Sequence, residues 1–211
     1  MSAVREKMRD ADAVVEVVAA RRDLSLICRS DCPAVIWQRR LSANFERWIQ
    51  ELDPARLPSA RIMLKPSEAH ASIANVFTAA DLASAPQGRW LVEDMSALAE
   101  DFAAITGAPF MRIRMDVVDT DKCRKFHTDV VTSRLLCTYR GTGTQYAFKV
   151  DGAEPERIFT APTGAAMILR GTLWPEVPAS GFVHRSPPIA GTGETRLIFV
   201  LDPLDEPEDE A

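Results

Sequence analysis

Histidine is scarce in this chain, with three among 211 residues, and tyrosine scarcer still, with two. Any site that uses imidazole must therefore draw on His70, His127 or His184. No apolar run approaches the roughly 20 residues of a membrane span. The first apolar run, Ala13 to Ala20, is broken by Glu16 and follows charges of both signs, so it does not read as a secretory leader. There is also no basic stripe. The net charge is −5 and the charges are mixed in sign, which argues against an electrostatic grip on nucleic acid or anionic lipid. The expectation is a cytoplasmic protein acting on a small molecule, monomeric or homodimeric. The four cysteines, Cys28, Cys32, Cys123 and Cys137, are expected to be reduced thiols. No internal repeat is visible.

Hydrophobic residues make up 46% of the chain, enough for a substantial core. The part up to residue 108 reads as mainly helical. Ser2 to Arg22 gathers Val14, Val15, Val17 and Val18 into an apolar cluster with charges around it. Val35-Ile36-Trp37 is a short strand. Ser42 is placed to cap a helix whose Phe45, Trp48, Ile49 and Leu52 form one stripe ahead of Pro54. Ser67 opens a short helix through Ile73. Leu91, Met95, Leu98, Phe102 and Ile105 line another, stopped by Gly107.

The texture changes after Pro109. Phe110 to Val118 alternates apolar and polar residues as a strand with one wet face does. Further strands are expected at Phe126–Val131, Leu135–Tyr139, Gln145–Val150, Arg157–Thr160, Ala165–Leu169, Phe182–Arg185 and Thr195–Leu201, with glycine-containing turns between them. Short strands so punctuated point to an α+β fold: a double-stranded β-helix (jelly roll, cupin-like) over 109–202, with the N-terminal helices packed outside it, the whole forming one domain. The acidic, proline-containing stretch from Asp202 onward, with 203–211 as its tail, reads as frayed.

Chemistry concentrates at Phe126-His127-Thr128-Asp129. Strand residues i and i+2 share a face, so His127 and Asp129 project together. His184 lies on a late strand that a jelly roll can set opposite them. Two imidazoles and one carboxylate on one side of a metal form a facial triad with open positions. The same set with one water would equally suit a Zn²⁺ hydrolytic centre. His-x-Asp alone is also an ordinary hydrogen-bonded pair, so the downstream context has to decide.

That context includes Gly164-Ala165-Ala166-Met167-Ile168-Leu169, His184 and then Arg196 at the head of Leu197-Ile198-Phe199-Val200-Leu201. His127-x-Asp129, His184 and Arg196 together resemble the pattern of Fe(II)/2-oxoglutarate-dependent oxygenases over about Phe110 to Leu201. The resemblance implies Fe(II), with zinc as an alternative, on the triad, and 2-oxoglutarate held through its far carboxylate by Arg196. Arg196 follows His184 slightly later than is usual in that superfamily. Arg134 and Tyr139, on the strand after the pair, are further candidates for binding the cosubstrate, against a plain structural role.

The whole chain resembles more closely the bacterial family called domain of unknown function 1826. Phe126-His127-Thr128-Asp129, Arg134 to Thr144, Leu169 to Pro175 and His184 to Pro188 carry that likeness. It implies an association with metal, including zinc, homeostasis. Two functions of other classes thus stand beside the oxygenase: a metal-binding protein using the same triad, and a cupin-like small-molecule module. Arg170 and Trp174 would border the mouth or close an end. Arg185, on the face opposite His184, would be structural, as would His70.

Overall fold

A computed structural model describes residues 7–10, 13–121, 123–149, 154–175 and 181–206. In chain order the strands are β1 (Lys7–Asp10), β2 (Ala13–Val18), β3 (Ala34–Trp37), β4 (Ala60–Leu64), β5 (Phe110–Val118), β6 (Ser133–Arg140), β7 (Gln145–Phe148), β8 (Phe159–Thr160), β9 (Ala166–Arg170), β10 (Phe182–Arg185) and β11 (Arg196–Leu204). The α-helices are α1 (Ala43–Glu51), α2 (Ala69–Ala79) and α3 (Pro86–Thr106). Among the described residues no helix is long and apolar enough to cross a membrane.

The strands form an eight-stranded sheet in the order β1-β2-β3-β9-β6-β11-β5-β4 and a three-stranded sheet in the order β10-β7-β8. From β5 onward the chain passes back and forth between them. β6, β9 and β11 return to the large sheet, β7, β8 and β10 to the small one, and the segment around His127 bridges to β10. Spatial neighbours are thus strands distant in sequence, such as β5 beside β11 and β6 beside β9. This is the double-stranded β-helix that the turn-punctuated strands imply.

The large sheet separates two apolar clusters. On one face Leu135, Cys137, Tyr139, Leu197, Phe199 and Leu201 pack with helix residues such as Phe45, Ile73 and Phe102. On the other, Leu136, Ile198 and Val200 meet Tyr146 and Phe182 of the small sheet inside the barrel. Period-two alternation along β6 and β11 assigns these faces. In the helical layer the local signals act as read. Ser42 Oγ accepts from the Phe45 amide at 3.2 Å and caps α1. Gly107, at φ 67°, ends α3, its amide donating to the Ala103 carbonyl at 2.8 Å.

Three segments differ from their sequence reading. The strand expected at Phe126–Val131 is a loop holding one isolated bridge, at His127, because only that residue pairs its backbone with β10. The helix expected over 2–22 is replaced, where described, by β1 and β2, and β2 runs parallel to β3. Four β-branched valines are stiff at χ1 and suit a pleated surface better than a helix. Pairing also buries Glu16 beside Arg29, at 3.2 Å. In addition, β11 continues through Leu204, so Asp202 is not the start of a frayed tail but is 1% exposed. Residues 207–211 lie outside the described residues.

Two substitutions probe this layering. Phe199→Ala empties a fully buried site and should cost about 3–5 kcal/mol, whereas Ser42→Ala removes only a cap and should cost about 1 kcal/mol. Chemical denaturation of both variants checks the order, and comparable losses would contradict it.

Candidate metal centre

The triad forms where the two sheets meet. The backbones of His127 and His184 exchange amide-to-carbonyl hydrogen bonds of 3.0 Å each, an isolated antiparallel bridge. The bridge brings the two imidazoles together, centroids 4.6 Å apart and planes tilted by 46°. Asp129 then turns its carboxylate beneath both rings: Oδ1 lies 3.5 Å from His127 Nε2, and Oδ2 lies 3.1 Å from His184 Nε2. One ligand atom from each residue falls within 4.8 Å of the others, the spread one ion can span.

The donor set fits a divalent metal. Two imidazole nitrogens and a carboxylate bind borderline ions and leave other coordination positions open. Asp129 Oδ2 is buried, and its approach to His184 lacks hydrogen-bond geometry, so a buried carboxylate oxygen has no hydrogen-bond partner. Such an atom is costly unless something else engages it. His127 Nδ1 lies 2.8 Å from the Lys125 carbonyl. A proton on Nδ1 serves that contact and leaves the Nε2 lone pair facing Asp129 and His184, the usual way a ligating imidazole is oriented.

Protonation favours coordination at two of the three groups, Asp129 and His184, and opposes it at His127. Burial would push the Asp129 carboxyl upward, but the adjoining His127 and His184, together with Arg134, outweigh it and hold the group well below the usual carboxylate range. Hydrogen bonding to Asp129 raises His127. Burial lowers His184 and keeps it neutral. An ionised carboxylate and a neutral buried imidazole are the forms that coordinate.

Arg134 supports the carboxylate from behind. Its Nη1 lies 2.6 Å from Asp129 Oδ1, while Nε and Nη2 donate to Asp202 at 2.6 and 3.0 Å. Sequence reading offered Arg134 to a cosubstrate; its guanidinium instead ties Asp129 to Asp202 of β11. Asp202 is the residue of this site that sequence reading missed, because its DPLDEPEDEA context looks like tail. Its one signal was position, directly after the apolar run Leu197–Leu201 and in register with that strand's alternation.

The loop carrying Asp129 is fixed by close backbone packing. The Asp129 carbonyl accepts from Thr172 at 2.9 Å, and Gly171 donates to Thr132 at 2.9 Å. A Cβ on Gly171 would run into the Val131 carbonyl oxygen. Here glycine is required for close approach, which explains the Gly171 that follows β9.

Arg196 is fully buried at the head of β11, on the barrel side with Ile198. Its Nε donates to the Thr142 carbonyl at 2.6 Å and its Nη2 to Thr138 Oγ1 at 3.4 Å, while Nη1 is buried without a partner. Burial pulls its pKa down to about 10, against the nearby Glu194. A carboxylate is the natural complement of such a guanidinium.

Tyr139 takes no part. It faces the helices, where its hydroxyl donates to Asp94 at 2.5 Å beside the Arg39–Asp94 ion pair. An odd position on β6 points away from the barrel when Leu136 points in. Arg170 binds the carbonyls of Ile27, Arg29 and Ser30 and stacks on Trp174, closing an end of the fold. His70 pairs with Glu93 at the surface. All four cysteines are free thiols.

No curated protein matches this chain. Several solved structures resemble it at low identity. The dioxygenase for auxin oxidation from rice is 14% identical, with TM-score 0.48 over 87% of this chain and 76% of that one. The dioxygenase for auxin oxidation 1 from Arabidopsis thaliana, in its complex with 2-oxoglutarate, is 12% identical, with TM-score 0.46 over 85% of each chain. A cupin-2 domain protein from Shewanella frigidimarina is 17% identical, with TM-score 0.29 over 44% and 71%. Residues 19–202 match the family described as protein of unknown function (DUF1826), and the chain belongs to that family.

Proposed function

We propose that this protein is a mononuclear Fe(II)/2-oxoglutarate-dependent oxygenase acting on a small molecule. The observation that carries the reading is the His127–Asp129–His184 cluster with its unpartnered carboxylate oxygen, in the same barrel as a buried, incompletely paired Arg196. Two histidines and one carboxylate with open positions are the ligand set of non-haem Fe(II) oxygenases. Fe(II) with 2-oxoglutarate, when bound, supplies O₂-dependent oxidation.

The chain's own contribution is binding and orientation. His127 Nε2, His184 Nε2 and an Asp129 oxygen would hold the ion. Arg134, 2.6 Å from Oδ1, holds the Asp129 carboxylate in place and adds to the larger effect of His127 and His184 in keeping it ionised. Arg196 Nη1 would take the far carboxylate of the ketoacid, and Thr138 holds the neighbouring nitrogen of that guanidinium in place. Because Arg196 is fully covered, the ketoacid reaches it only as neighbouring side chains part. Metal handling without oxygenation uses the same triad, and it differs in requiring nothing of Arg196.

His127→Ala and His184→Ala should each abolish stoichiometric metal in protein purified without chelator, measured by elemental analysis; full occupancy in either variant would rule the triad out. Arg196→Gln should keep the metal while weakening 2-oxoglutarate about 10–100-fold. Titrating the anaerobic Fe(II) protein with the ketoacid and following the visible charge-transfer band tests this. Unchanged affinity in the variant removes Arg196 from the cosubstrate site, and tight zinc with no ketoacid response favours metal handling.

Metal affinity should fall on acidification. Protons compete at His127, whose pKa is raised, so loss begins above the ordinary histidine value of about 6.5. Asp129, held low, remains ionised throughout that range. A chelator competition from pH 8 to 5 reads the effect, and a flat profile would contradict it.

A further inference from the structure

Along β5, Met111, Ile113 and Met115 belong to the helix-side core, so Arg112, Arg114 and Asp116 stand on the barrel side. Register extends this row sideways. Arg114 is directly opposite Arg61 of β4, and Arg112 directly opposite Asp202 of β11. Ile62 and Leu64 pack toward the helices, which leaves Arg61 on the same face as Arg114. Asp202 is the focus: Arg134 binds it at 2.6 Å, Arg114 Nη2 lies at 3.8 Å and Arg112 Nη1 at 3.9 Å. Through Arg134, this row is one guanidinium away from the metal ligand Asp129.

The charges around Arg114 do not balance once a metal is bound. Arg61, Arg114 and Arg134 stand against Asp116, Asp129 and Asp202. Asp129 Oδ1 already faces Arg134 at 2.6 Å, and its Oδ2 lies beside His184, so this carboxylate is not available to Arg114. A divalent ion would add two more positive charges. Arg61 opposite Arg114 is a like-charge cross-strand pair, an arrangement that destabilises a sheet unless an anion sits between. Arg114 meets its two carboxylates only at 3.5 and 3.8 Å, and its Nε is buried with no partner. A guanidinium so placed has donors to spare for a planar or tetrahedral oxyanion.

We propose that the Arg114–Arg61 row is the subsite for an oxyanion group of the substrate, a phosphate or a carboxylate, held beside the metal centre. The inference rests on the metal-centre reading above and adds the substrate's chemical class to it. The substrate is then an anionic small molecule whose charged group lies over β5 while its reacting part points to the triad. Arg112 and Asp202 set the position of Arg114, and Arg61, on the exposed edge strand, closes the outer side of the subsite.

The test uses the full chain with and without Mn(II), saturated with 2-oxoglutarate. Inorganic phosphate and ¹³C-acetate are titrated by calorimetry, and their ³¹P and ¹³C relaxation is followed with Mn(II) bound. At least one anion should bind saturably and be relaxed by the bound Mn(II), and the tighter of the two tells phosphate from carboxylate. Arg114→Gln should weaken that anion at least about tenfold with Mn(II) and 2-oxoglutarate affinities unchanged. Arg61→Gln, on an exposed residue that folding does not need, should weaken it about threefold, and Arg157→Gln, at a guanidinium stacked on Phe159 of the small sheet, not at all. Anion binding lost in Arg114→Gln from a chain that takes no Mn(II) keeps the oxyanion site and sinks the metal reading. Absence of saturable binding overturns the proposal, as does binding in Arg114→Gln and Arg61→Gln as tight as in the unaltered chain. So does a bound anion left unrelaxed in a chain that has taken up Mn(II), or a loss of 2-oxoglutarate in Arg114→Gln, which would make the row a cosubstrate site.

Discussion

Two backbone hydrogen bonds between His127 and His184 hold this site together. They join segments far apart in sequence, and they do so with main-chain atoms, leaving both imidazoles free to face one way. Everything chemical in the barrel follows from that bridge. It sets the ring separation, places Asp129 beneath both rings, and closes the small sheet onto the segment that precedes β6. A ligand set built on main-chain pairing has its geometry fixed before any ion arrives, and that is what a metal centre with open positions needs.

The polar layer around the triad is continuous. Asp129 is tied to Arg134, Arg134 to Asp202, and Asp202 lies among Arg112 and Arg114. Each of these carboxylates is met by guanidinium: Arg134 of β6 reaches both the loop residue Asp129 and Asp202 of β11, and Arg112 and Arg114 of β5 approach Asp202 from the other side. Buried charges of this kind are tolerated because they are paired, and removing one partner strands the other. The cost is balanced by the two apolar clusters on either face of the sheet, which order β6 and β11 independently of the polar contacts.

The same sheet divides the roles of neighbouring residues. On β6, Arg134 and Thr138 face the barrel and serve the site, while Cys137 and Tyr139 face the helices. Tyr139 is thereby drawn into a buried cluster with Arg39 and Asp94 that anchors α3 to the sheet. Burial raises the Tyr139 hydroxyl well above its ordinary value, so it remains a proton donor to Asp94. Arg196, at the other end of β11 from Asp202, keeps one nitrogen unpaired inside the barrel. The two ends of one strand therefore supply two distinct cationic environments, one at Arg196 and one around Asp202.

The sequence by itself determined what depends on local pattern. Alternation marked β5, turn glycines separated the later strands, Ser42 and Gly107 bounded their helices, and the scarcity of histidine singled out His127-x-Asp129 and His184. That Asp129 comes beside both rings is the work of a loop, not of strand alternation. Local pattern did not separate helix from strand in Val14–Val18, because a short valine cluster satisfies both until a partner strand is present. Nor did it decide which way Tyr139 points, since that follows from which face of β6 meets the helices. The acidic look of DPLDEPEDEA concealed Asp202, whose burial exists only because three arginines from β5 and β6 surround it. Tertiary structure alone decided these points, for a physical reason: a charge reads as solvated until the chain has folded its counter-charges around it.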